Sequence, residues 1–184
     1  MVATEIEADL RSWSREVLEA PHSALKGLPP CPYARQAWKD DKVLVVEVTD
    51  VIAESARLCD VFHDNDYDLV VVASYRIPLL SLFDDYIQLG LNAVFPHLHC
   101  MGFHPEYGAE DAGLDFLADT DWESAVAEPY CMVFIQDLQA VVTASDKLER
   151  LGYYEAYPRD EYEELVVARK RRLTHGDETP RDEA

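Results

Sequence analysis

The stretch KVLVVEVTDVIAESARLCDVFHDNDYDLVVVAS, residues 42–74, decides the fold class. Lys42–Thr49 is rich in valine and reads as a β-strand. Asp50 stands where a helix N-cap is needed, and a helix over 51–63 carries Ile52, Ala56, Cys59 and Phe62. Asp64–Tyr67 turns the chain. Asp68–Ser74 is a second strand, apolar enough to lie at the centre of a sheet.

Upstream, residues 4–20 read as an amphipathic helix, with Thr4 and Glu7 as a capping box and Ile6, Leu10, Trp13 and Val17 as its buried stripe. Pro21 ends it, and 21–41 reads as loop, broken by Gly27, Pro29, Pro30 and Pro32. Downstream, Pro78 suits the first turn of a helix over 78–91 that faces Leu79, Leu82, Phe83, Tyr86 and Leu89 inward. His97–Phe103 is a third strand and Tyr130–Ile135 a fourth. The segment from Pro105 to about Glu128 is a polar loop with a short helical turn around Trp122. A helix over 137–151 places Leu138, Val141, Val142 and Leu148 in the core. The last helix, 160–173, has acids at its start and Arg169, Lys170, Arg171 and Arg172 at its end, an order that suits the helix dipole as a solvated terminus. The fold class is therefore mixed α/β (α+β), a single sheet of four strands covered by helices. One globular domain spans 1–173, and 174–184 is a disordered acidic tail on composition.

The chain has 184 residues, 48% hydrophobic, enough for one core. It has no apolar run of membrane-spanning length and no secretory signal pattern, which points to a cytoplasmic protein. The net charge of −20 repels phosphate backbones and anionic lipid, so nucleic-acid and membrane roles are disfavoured. Such a charge serves solubility, or attracts a cationic or small-molecule amine substrate. A homodimer is left open. Cys31, Cys59, Cys100 and Cys131 form no CxxC pair and read as reduced thiols, with Cys59 and Cys131 as core fillers.

The candidate chemistry centres on Phe103-His104-Pro105-Glu106-Tyr107. His104 ends a strand beside a proline, where an imidazole can face a cavity as a metal ligand or general base. Glu106, Tyr107, Glu110 and Asp111 follow it closely and can orient the ring, complete a metal shell or bind an amine. A triad of His97, His99 and His104 is opposed by strand alternation, which puts the first two on one face with Met101 and Phe103, and His104 on the other with Leu98 and Cys100. Cys31, held between prolines, is an iron ligand, a thiolate nucleophile or a buried thiol under a turn. No phosphate-binding glycine loop, HExxH or GxSxG is present.

The ordered set Trp13-Ser14-Arg15, Pro21-His22, Pro30-Cys31-Pro32-Tyr33, Gly102-Phe103-His104-Pro105 and Glu128-Pro129-Tyr130 resembles small bacterial domains of unassigned function with a Trp…Cys-Pro-Phe…Phe-His-Pro signature. It looks most like an actinobacterial branch near specialised-metabolite genes, similar to haem-dependent amine N-oxygenases. That resemblance implies an oxidoreductase acting on a small amine or amino acid. His104 would be the haem-iron ligand, with Cys31 and Pro32 in the same pocket. On the reading of the residues themselves, Phe103, Met101 and Leu98 wall that cofactor pocket if the strand edge is open, and Glu106 and Tyr107 are the catalytic groups; the acidic stretch after His-Pro departs from the family pattern. Two other readings stand beside it. One is a non-haem iron or other metal enzyme using His99, His104 and a carboxylate, Glu106 or Glu110. The other is a non-enzymatic acidic module that docks a basic partner.

Overall fold

The computed structural model describes residues 4–107 and 129–176. Four strands form one sheet in the order β1-β2-β4-β3: β1 is Val43–Glu47, β2 Leu69–Ser74, β3 Leu98–Phe103 and β4 Cys131–Asp137. β1 and β2 run parallel, in register from Val43 opposite Leu69, while β4 is antiparallel to both β2 and β3. The two central strands are almost wholly buried, as the apolar reading of Leu69–Ser74 requires. The mixed α/β sheet expected from the sequence is the fold.

Helix α1 (Glu5–Trp13) begins at Thr4, whose hydroxyl accepts the Glu7 amide at 3.1 Å, and runs on as a π-type stretch over Ser14–Leu18. Its Ile6 and Leu10 lie on one sheet face with Val71, Ala73, Tyr130, Met132 and Phe134. Helix α3 (Val51–Asp60) is capped by Asp50, whose carboxylate takes the Ile52 and Ala53 amides, each at 3.1 Å. It covers the opposite face, where Leu58, Cys59, Val70, Val72, Leu98, Cys100, Val133 and Ile135 form the larger core. One helix was not expected: α2, Ala34–Lys39, lies inside the segment read as loop. It is too short to carry a periodic apolar stripe, so prolines and glycine dominated its reading.

Helix α4 (Leu80–Asp84) continues through a π-type stretch, Asp85–Leu91, into α5 (Asn92–Val94). Phe83, Ile87 and Leu91 recur at every fourth position and are buried in the larger core. Fully burying a side chain such as Phe83 contributes about 1.5–3 kcal/mol. The helix sits so close to β3 that a Cβ on Gly102 would come within 2.6 Å of Phe83 Cε1. Helix α6 is Leu138–Arg150, and it buries Leu138, Val142, Ser145 and Leu148, while Val141 is only half-buried. The C-terminal helical segment runs from α7 (Arg159–Tyr162) through a π-type stretch to α8 (Ala168–Gly176). The expected helical turn at Trp122 and the part of the acidic tail beyond Gly176 lie outside the described residues.

β3 is an edge strand, and its open side is capped by side chains rather than by another strand. Asn92 accepts the Cys100 amide at 3.0 Å and donates to the Cys100 carbonyl at 2.9 Å. Arg172 donates to the Leu98 carbonyl at 2.6 Å. Such capping removes the free edge on which a stray strand would pair.

Candidate functional site

β3 delivers its residues alternately to the two faces, as strand geometry demands. Leu98 and Cys100 enter the larger core, and Met101 and Phe103 pack toward the opposite one. His99 therefore lies on the face away from His104, which sits 5.3 Å, ring to ring, from Phe83. A two-histidine metal set using His99 and His104 is excluded by this alternation. His97 is exposed and stacks with His63 at 5.2 Å.

His104 is buried, at 1% exposure, and both of its ring nitrogens are used by the backbone. Nε2 lies 2.9 Å from the Pro78 carbonyl oxygen, and Nδ1 accepts the Glu106 amide at 3.1 Å. The amide requires a lone pair on Nδ1, so the proton is on Nε2 and is given to Pro78. An iron ligand needs an imidazole lone pair of its own, and none is left. The tyrosine beside it is also engaged: Tyr107 Oη donates to Asp84 Oδ1. Glu106 is exposed, and Phe103 packs on Phe134 at 4.6 Å on the other face of the sheet. Glu110 and Asp111 lie outside the described residues.

Cys31 belongs to a different neighbourhood. Its amide donates to the Leu18 carbonyl at 2.9 Å, and its carbonyl accepts from Ala34 at 3.1 Å. Burial pushes its thiol up, and amide hydrogen bonds from Tyr33 and Ala34 oppose this only in part. That is the environment of an inert thiol under a turn, not of a nucleophilic thiolate. Pro32 is half-buried in the same turn. No hydrogen bond or ring contact among the described residues joins this turn to His104.

The haem and iron assignments are therefore corrected. Among the described residues no three His, Cys, Asp or Glu side chains converge as a metal site requires. The imidazole proposed as axial ligand is a packed structural group. The pocket expected from Leu98, Met101 and Phe103 does not form, because the first points away from the other two. The amine-oxidising reading loses the site it depended on. No helix among the described residues is long and apolar enough to cross a membrane.

Two other features present themselves as sites. A hollow of about 300 Å³ is lined by Tyr154, Tyr157 and Tyr162 with Glu149 and Glu155. Its carboxylates are already engaged, Glu149 by Lys170 at 2.8 Å and by the Tyr162 hydroxyl, Glu155 by Lys26 at 2.7 Å. The hydrogen bonds from Lys170 and Tyr162 hold the Glu149 carboxyl below its usual value. The second feature is a row of exposed apolar side chains on the segment 77–94: Leu79 at 77% exposure, Leu82 at 55%, Leu89 at 73% and Val94 at 69%. Asp84 and Asp85 lie between them in the sequence.

The first three of these had been expected to face inward with Phe83 and Tyr86. The sequence signals a surplus of apolar residues without saying which of them point outward. Leu79, Leu80, Leu82, Phe83, Tyr86, Ile87, Leu89 and Leu91 are too many apolar residues for one stripe. A helix lying on a sheet buries only one face, so the surplus must point outward. No family model, curated protein or solved structure matches the chain.

Proposed function

We propose that the chain is a docking module whose partner is a basic, amphipathic segment of another protein. The observation that carries this reading is the exposed row Leu79, Leu82, Leu89 and Val94 on a helix whose other face is packed in the core. Several large apolar side chains left exposed along one helical segment are a common mark of association. The partner's charge follows from the surroundings. Exposed Asp85 lies between Leu82 and Leu89 in the sequence, and the whole chain carries −20. A cationic segment is drawn to such a surface, whereas a second copy of the chain is repelled by it.

The test is fluorescence anisotropy with a labelled peptide of leucine and lysine at helical spacing, beside the same peptide carrying glutamate for lysine. The expected result is saturable binding of the lysine peptide alone, weakened on the order of tenfold or more by Leu82→Asp with Leu89→Asp. These substitutions add negative charge, so electrostatics alone would tighten binding. Undiminished binding to the double variant overturns the reading. So does a concentration-dependent dimer, in sedimentation, that the same substitutions dissociate.

A further inference from the structure

The basic cluster 169–172 near the chain's end divides into two pairs with different surroundings. Lys170 pairs with Asp146 at 2.7 Å and Glu149 at 2.8 Å, and Arg171 with Glu163 at 3.6 Å. Arg169 and Arg172, one helical turn apart, face the sheet instead. Arg169 Nη2 rests 3.7 Å from the Met101 sulfur, and Arg172 Nη2 bonds the Leu98 carbonyl at 2.6 Å. Neither guanidinium pairs with a carboxylate among the described residues, in a chain where acids outnumber bases 36 to 16. Glu163 is taken by Arg171, and exposed Glu164 acts on Arg169 through its charge without forming an ion pair with it.

The contacts of the two arginines bracket His99 on β3. Its side chain shares the sheet face of Met101, and its residue adjoins Leu98. His99 is 6% exposed, and neither ring nitrogen has a hydrogen-bond partner. An unsatisfied buried imidazole is costly, and two half-buried guanidiniums lie near it without a carboxylate partner among the described residues. Folded chains accept such a cost where a ligand relieves it.

We propose that Arg169, Arg172 and His99 form a binding site for a small oxyanion, a carboxylate or a phosphate. A guanidinium presents paired N–H donors matched to such groups, and the imidazole adds a third donor. Burial, and then the positive charge of Arg169 and Arg172, hold the His99 imidazole well below its usual value. An anion between the arginines reverses that second effect. This site is on the sheet face opposite α4 and is independent of the docking row.

The experiment uses the full chain, with sodium phosphate and sodium succinate as separate probes and chloride holding ionic strength constant. The expected result is a saturable rise in melting temperature with at least one probe, together with a shift of the His99 ring signals in ¹H–¹⁵N spectra and of their titration to higher pH. The probe that acts identifies the source as phosphate or carboxylate. Arg169→Met with Arg172→Met abolishes both responses. Because Arg172 also caps β3, the single variant Arg169→Lys is measured beside it; it keeps the charge and the cap, and binding weakens on the order of tenfold. A response of neither probe, or an undiminished response in Arg169→Lys, overturns the site.

Discussion

The imidazole of His104 donates from Nε2 to the carbonyl oxygen of Pro78, at 2.9 Å across 26 residues of sequence. This bond ties the end of β3 to the entry of α4, while Nδ1 holds the following turn through the Glu106 amide. His104 is thus a clamp between two elements that meet at the edge of the sheet. His104→Ala leaves the Pro78 carbonyl and the Glu106 amide unpaired and opens a cavity against Phe83. A loss of about 2–4 kcal/mol is expected in urea unfolding. A variant as stable as the parent would remove the clamp from the account of the fold.

Gly102 is a packing requirement of the same corner. An added Cβ would lie 2.6 Å from Phe83 Cε1 and 3.2 Å from Ile87 Cγ1. Gly102→Ala must push α4 off the strand or force Phe83 from its rotamer, at about 1–3 kcal/mol. Thermal unfolding measures it, and Phe83→Leu in the same chain restores part of the loss if the ring is the obstacle.

Stability falls on mild acidification through His99. Its folded value lies well below the ordinary 6.5, so below that pH the unfolded chain binds a proton that the folded chain refuses. Stability from this group is complete above about 6.5 and declines below it, by up to about 1.4 kcal/mol per pH unit. His97, lowered by burial and by His63, adds the same sign. Comparing urea midpoints from pH 7 to about 5 for the parent and His99→Phe isolates the contribution. Parallel curves for the two would contradict the assignment.

Leu82→Asp and Leu89→Asp remove apolar surface that already faces water. Each changes folding stability by about 0.5 kcal/mol or less, in contrast to Ile87→Asp on the buried face, which is expected to unfold the chain. Circular dichroism melts of the three variants check this. A large loss in the first two would mean that the row is packed, and the docking proposal would go with it.

Much of the fold was legible locally. The valine runs of β1 and β2, the caps at Thr4 and Asp50, and the alternation along β3 follow from steric and hydrogen-bonding preferences of neighbouring residues. The two-residue period of a strand also separates His99 from His104. The inward face of α4 was not legible, because a helix apolar on several sides does not declare which side meets the sheet. The histidine at the strand end was read as poised for chemistry for a related reason. Its sequence neighbours are a proline, a glutamate and a tyrosine, but its two partners are backbone atoms, and one of them lies 26 residues away.

The sequence by itself determined which segments become strands and helices, because those preferences act over a few residues. Only the tertiary structure decided which side chains were consumed by packing and which were left over. His104 spends both nitrogens on the backbone, whereas His99, Arg169 and Arg172 have no carboxylate bonded to them among the described residues, and Leu79, Leu82 and Leu89 are turned to solvent. Those outcomes depend on contacts between residues distant in the chain, for which no local pattern carries a signal.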